Sequence, residues 1–163
     1  MVLRYSIRNI LLVIVATFLL SACATNTTTT KKIETQITGD TFTGEETVKY
    51  LATGVADREF FATNKSVLTT ASRDTLRKQA AWLRENKSIN VTIEGHCDER
   101  GTREYNLALG EKRANAAKDY LLTYGISGNR IATISYGKER PVNSGSGPLA
   151  WSQNRRSVTV KVN

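Results

Sequence analysis

Cysteine, histidine and proline are scarce in this chain: its 163 residues include two Cys, one His and two Pro. Two Cys exclude a disulfide scaffold, and two Cys with a single His exclude a zinc finger or a similar all-protein zinc site. No phosphate-cradling P-loop, no dinucleotide fingerprint and no His-Glu-x-x-His pair occurs. Acidic charge is also short, with 15 Asp+Glu against 23 Lys+Arg and a formal net charge of +8. The basic residues are spread among the acids, which argues against a nucleic-acid-binding stripe. A content of 40% apolar and 23% charged residues is ordinary for a globular protein, and the length suits one domain with an appendage.

The long apolar run is confined to residues 10–20, broken only by Ala16 and Thr17 and preceded by Arg4 and Arg8. A basic start, an apolar stretch of about ten residues and small residues after it describe an export signal, too short for the roughly 20 residues that span a bilayer. It ends in Leu20-Ser21-Ala22-Cys23, which resembles the lipobox of bacterial lipoproteins. That resemblance implies cleavage after residue 22, a diacylglyceryl group on the Cys23 thiol and an N-acyl chain on its amine. Ala24, rather than Asp, implies delivery to the outer membrane. Several acyl chains, at about 0.8 kcal/mol per buried CH₂, anchor stably without a spanning helix. Residues 1–22 are thus expected to be a signal peptide. Residues 23–46, rich in Thr and poor in apolar side chains, are expected to be a flexible tether. About 25 such residues reach roughly 25–30 Å.

Residues 47–163 are expected to be the folded domain, although the pattern of residues 47–55 fits helix and strand alike. Residues 58–61 read as a short strand bounded by polar turn residues. Leu68, Ser72, Leu76, Ala80 and Leu83 form one stripe of a helix over 66–86. Residues 90–97 alternate, with Val91, Ile93, Gly95 and Cys97 on one face and Thr92, Glu94 and His96 on the other. A second helix over 104–124 closes at Gly125, and residues 130–136 and 156–162 read as two further strands. The order β-α-β-α-β-β predicts an α+β sandwich, a mixed four-stranded sheet with helices mainly on one face.

His96-Cys97-Asp98 raises the question of a Cys nucleophile with a His base. Adjacent strand residues leave opposite faces, so His96 and Cys97 cannot form a dyad, and Cys97 reads as a small buried residue. A Cys23–Cys97 disulfide would require that Cys23 escape lipidation. Asp98 falls where the strand yields to a loop. Asn106 and Arg113, two turns apart, share a stripe of the second helix with Gly110 between them. A helical Gly costs about 1 kcal/mol against Ala and suits a close approach to the backbone. The spacing fits a ligand site, and fits equally an Asp98–Arg113 ion pair with Gly110 serving helix packing.

Residues 93–114, Ile-Glu-Gly-His-Cys-Asp-Glu-Arg-Gly-Thr-Arg-Glu-Tyr-Asn-Leu-Ala-Leu-Gly-Glu-Lys-Arg-Ala, resemble the signature of the OmpA-like peptidoglycan-binding domain family. The likeness continues through residues 135–141 and 154–158. It implies a domain that binds uncrosslinked stem peptides through the zwitterionic end of meso-diaminopimelate, with Asp98 on the ammonium and Arg113 on the carboxylate as a bidentate pair. Asn106 and Arg155 match supporting positions. It implies no catalysis, no cofactor and no metal. It also implies a TolB-like periplasmic protein as partner, in the Tol machinery that keeps the envelope intact and aids division. Two segments depart from the family pattern: Phe61-Ala62-Thr63-Asn64-Lys65 lacks both usual acids, and residues 145–151, Gly-Ser-Gly-Pro-Leu-Ala-Trp, lack the usual His and acids. A flagellar stator with this domain needs an acid-bearing spanning helix, and a porin needs a barrel for which no room exists.

Overall fold

The computed structural model describes residues 37–38, 41–42 and 50–162. The signal peptide, Cys23 and most of the tether lie outside these residues. Within the expected tether, β1 (Ile37–Thr38) pairs antiparallel with β2 (Thr41–Phe42). A second hairpin joins β3 (Tyr50–Ala52) to β4 (Val55–Ala56). Gly54 takes the left-handed conformation at its turn, with φ of 75°. Leu51 is buried, so the packed domain begins several residues before the aromatic strand.

The main sheet contains β5 (Arg58–Phe60), β6 (Asn90–His96), β7 (Ile131–Gly137) and β8 (Arg156–Val162), in the order β5-β8-β6-β7. β6 and β7 run parallel, while β8 is antiparallel to both β5 and β6. Helices α1 (Thr70–Glu85) and α2 (Arg103–Thr123) supply the core, where Leu76, Ala80, Leu83, Ala114, Ala117 and Leu121 meet Val91, Ile93 and Ile131. The sheet is mixed and the architecture α+β, as the periodicity predicts. Thr69 caps α1 by accepting from the Ser72 amide at 3.1 Å, and Thr102 caps α2 from the Tyr105 amide at 3.2 Å. Arg130 donates to the carbonyls of Leu83, Asn86 and Ile89, closing the C-terminal end of α1 with a cation. A seven-residue helix, α3 (Pro148–Asn154), stands between β7 and β8 and is additional to the predicted order.

One patch of the core is polar. Glu59 accepts from Gln79 Nε2 at 2.8 Å and from Ser157 Oγ at 2.7 Å, while Thr159 Oγ1 donates to Gln79 Oε1 at 2.8 Å. Burial, only partly opposed by the bond from Ser157, pushes the Glu59 carboxyl up from 4.5 to about 8. The folded state therefore holds a proton that the unfolded chain releases, so this contribution is complete below pH 4.5 and is lost as pH rises towards 8. Burial, helped by Arg156, pulls His96 down from 6.5 to about 3. Its contribution has the opposite sign, present above 6.5 and lost as pH falls towards 3. Between pH 6.5 and 8 only Glu59 of these two acts. The urea midpoint is expected to fall across that window, and Glu59→Gln, which keeps a donor and an acceptor in place, should flatten the fall.

Candidate functional site

The site is built where β6 ends and α2 begins. The intervening loop turns at Gly101, with φ of 86°. Asn106, on the first turn of α2, ties the loop down by donating from Nδ2 to the carbonyls of Arg100 at 2.8 Å and Thr102 at 2.9 Å. Lys138 grips the same loop from outside, through the carbonyls of Glu99 and Gly101. Glu99 accepts from the Trp151 indole at 2.8 Å and from Ser146 Oγ at 3.1 Å, so α3 and its approach flank the loop.

Asp98 is 7% exposed and carries the acid of the site. It accepts from Arg100 Nε at 3.1 Å, Arg100 Nη2 at 2.7 Å, the Arg100 amide at 3.2 Å and Arg155 Nη1 at 3.4 Å. Burial pushes its carboxyl up, but the bonds from Arg100 and Arg155 outweigh this and hold it below the ordinary value. Arg155 also donates from Nε to the Phe61 carbonyl at 2.9 Å.

Arg113 is 1% exposed. Its Nε donates to the Lys65 carbonyl at 2.9 Å, Nη1 to the His96 carbonyl at 2.7 Å and Nη2 to the Ala62 carbonyl at 3.1 Å, with Nη1 also 3.4 Å from Cys97 Sγ. The guanidinium stands over the Phe61 ring, 5.3 Å from its centroid. Burial draws its pKa below the usual value. Asp98, Asn106, Arg113 and Arg155 thus all converge, but the ion pairs of Asp98 among the described residues are to Arg100 and Arg155. The Asp98–Arg113 pair admitted by the spacing is not formed. Three guanidiniums around one buried carboxylate leave an excess of positive charge, two of them, Arg113 and Arg155, positioned by backbone carbonyls that cannot neutralise it. That arrangement suits a ligand bringing a carboxylate.

His96 and Cys97 do separate. Cys97 Sγ donates to the Asn106 carbonyl on the α2 side, and burial pushes its thiol up to about 11. The His96 ring meets Glu94 and Tyr136. Among the described residues no group of His, Cys, Asp and Glu is gathered that could hold a metal, and no helix is long and apolar enough to cross a membrane. Gly110 admits the strand below it rather than a ligand, its Cα region lying against Gly95. In the segment that departs from the family pattern, the backbone of Ala62 and Lys65 contributes carbonyls to Arg113. Arg100 and Trp151 were not singled out by the sequence reading of the site. The only sign of Arg100 was its place two residues after Asp98.

The family model described as "OmpA family" matches residues 60–155, which contain every residue of this site. The chain belongs to the OmpA family. Within it, the peptidoglycan-associated lipoprotein of Mesorhizobium japonicum is 41% identical over 151 residues, spanning 93% of this chain and 90% of the relative. That of Rhizobium meliloti is 55% identical over 106 residues, covering 65% of this chain and 60% of its own length. The crystal structure of the peptidoglycan-associated lipoprotein from Burkholderia pseudomallei superimposes with a TM-score of 0.64 at 35% identity, covering 65% of this chain and 90% of that one. The OmpA-family match thus covers β6, β7, the three helices and the Asp98 loop, starting at the end of β5 and stopping just before β8.

Proposed function

We propose that this protein is a lipoprotein of the outer membrane, facing the periplasm, that grips peptidoglycan non-covalently and so ties membrane to wall. The observation that carries this reading is the buried Asp98 set among Arg113 and Arg155, both fixed in place by backbone carbonyls. An acid and a cation held side by side recognise a carbon bearing both an ammonium and a carboxylate. The end of meso-diaminopimelate in an uncrosslinked stem is such a carbon. Asp98 takes its ammonium. Arg113 and Arg155 take its carboxylate, through charge-assisted hydrogen bonds worth about 1.5–3 kcal/mol each. Arg113 has five N–H groups, and three carbonyls and a sulfur engage four of them, leaving one for a ligand oxygen in place of the bidentate pair that the resemblance implies. Asn106 shapes the loop that presents Asp98.

The remaining parts of the reading lie in the N-terminal sequence and the relatives. Residues 1–22 direct export, Cys23 carries the diacylglyceryl and N-acyl chains, and residues 23–46 tether the domain of residues 47–163. The family resemblance of residues 93–114 supports a place in the Tol–Pal system, with a TolB-like protein as partner and no catalytic step. The wall-binding half is tested by calorimetry on the full chain in detergent, titrated with a stem peptide ending in meso-diaminopimelate. Asp98→Asn, isosteric and uncharged, should weaken binding about tenfold to a hundredfold while circular dichroism stays unchanged. Equal affinity for the same peptide with its terminal amine acetylated, as crosslinking would leave it, sinks the reading.

A further inference from the structure

We propose that Arg100 is an internal stand-in for the ligand's ammonium: it occupies Asp98 until the ligand displaces it, and so sets the affinity and selectivity of the site. This rests on the ligand reading above. Arg100 grips Asp98 as a fork, Nε on Oδ1 and Nη2 on Oδ2, so that both carboxylate oxygens are engaged. Its side chain is 41% exposed, whereas those of Asp98 and Arg155 are 9% and 3% exposed. Arg155 approaches Asp98 from the interior and Arg100 covers it on the solvent side. An incoming ammonium must therefore take over at least one oxygen that Arg100 now holds.

Arg100 has somewhere else to rest. Its guanidinium already lies over the Trp151 ring, 4.2 Å from the centroid, and Nη2 reaches Thr63 Oγ1 at 3.2 Å. The indole is itself pinned to Glu99. Letting go of Asp98 costs Arg100 one partner and leaves it stacked. The exchange is one cation for another, so a charged amine can drive it and a neutral amide cannot. Arg100 consequently lowers the affinity for the free amine and leaves the capped peptide unaffected.

The test uses the full chain in detergent with Trp82→Phe, which leaves Trp151 as the one indole. The stem peptide ending in meso-diaminopimelate and its amine-acetylated form are titrated by calorimetry and by fluorescence. Arg100→Ala should bind the free-amine peptide about tenfold more tightly and the acetylated peptide no more tightly. Arg100→Lys, which keeps the charge without the fork, should fall between. Trp151 emission should change on binding of the free amine when Arg100 is present and not in Arg100→Ala. If the original chain binds and Arg100→Ala binds the free amine equally or more weakly, Arg100 is a bystander or a ligand contact, and this inference alone is overturned. Failure of both proteins to bind overturns it together with the function on which it rests.

Discussion

Gly95→Ala is expected to remove about 3 kcal/mol or more of stability, a large share of the roughly 5–15 kcal/mol that holds a domain together. A Cβ at Gly95 would lie 1.8 Å from the Gly110 carbonyl oxygen and 2.5 Å from its carbon, so backbone would have to move. Gly110→Ala is the sharper test because two effects oppose each other. In a solvent-facing helix the change would stabilise by about 1 kcal/mol. Here the new methyl would meet Ser135 Oγ at 2.3 Å and the Gly95 oxygen at 2.9 Å, and the clash outweighs the propensity. Urea denaturation followed by circular dichroism reads the sign. A gain in stability for Gly110→Ala would show that α2 does not press on β6 as described. The contact also matters to the site, because it sets the separation between the end of β6, which carries Asp98, and the helix that carries Asn106 and Arg113.

Arg113→Lys is expected to lose about 1–3 kcal/mol of stability for each buried carbonyl it leaves unpaired, despite conserving the charge. A single ammonium cannot reach three carbonyls that a planar fork satisfies at once, and the buried carbonyl of His96 and the partly buried ones of Ala62 and Lys65 would be left short of donors. Those carbonyls come from the loop after β5 and the end of β6, so the side chain staples two otherwise separate walls of the site. Thermal unfolding by calorimetry checks the stability loss. Titration with the stem peptide well below the midpoint should show weakened binding in the protein that remains folded. A variant as stable as the original would mean that the staple is dispensable and that Arg113 serves the ligand alone.

The parts of this molecule legible in its sequence are those governed by periodicity. The stripe through Leu76, Ala80 and Leu83 and the alternation through Val91 and Ile93 lead to side chains fully or almost fully buried, and Gly125 ends its helix with φ of 82°. Helix α3 has seven residues, too few to repeat a pattern, and the strands of the β3–β4 hairpin are shorter still. Glu59 illustrates a second kind of blindness. A carboxylate in a short strand reads as a solvent-facing residue, and only the arrival of Gln79 and Ser157 from elsewhere in the chain makes its burial tolerable. The spacing put Asn106 and Arg113 on one helical stripe and Asp98 at a strand end, but left ligand site and ion pair equally open. The family resemblance is what singles them out together with Arg155. Arg100 was not legible, since a loop has no period and its pairing with Asp98 depends on the turn at Gly101.

The pairing of β5 with β8 also has a mechanical consequence. A pull arriving through the N-terminal segments passes the β3–β4 hairpin and then meets β5, which runs antiparallel to β8 along three residue pairs. Such a load acts in shear, straining the ladder all at once instead of opening it bond by bond. Immediately beyond β5, the Phe61 amide donates to the Arg155 carbonyl, the Phe61 carbonyl accepts from Arg155 Nε, and the Ala62 carbonyl accepts from Arg113. The route by which force would pass from the N-terminal end to the site is therefore only a few residues long. Helix α1 stands beside this route, and α2 joins it through Arg113, so tension could run from one end of it to the other without stretching the core.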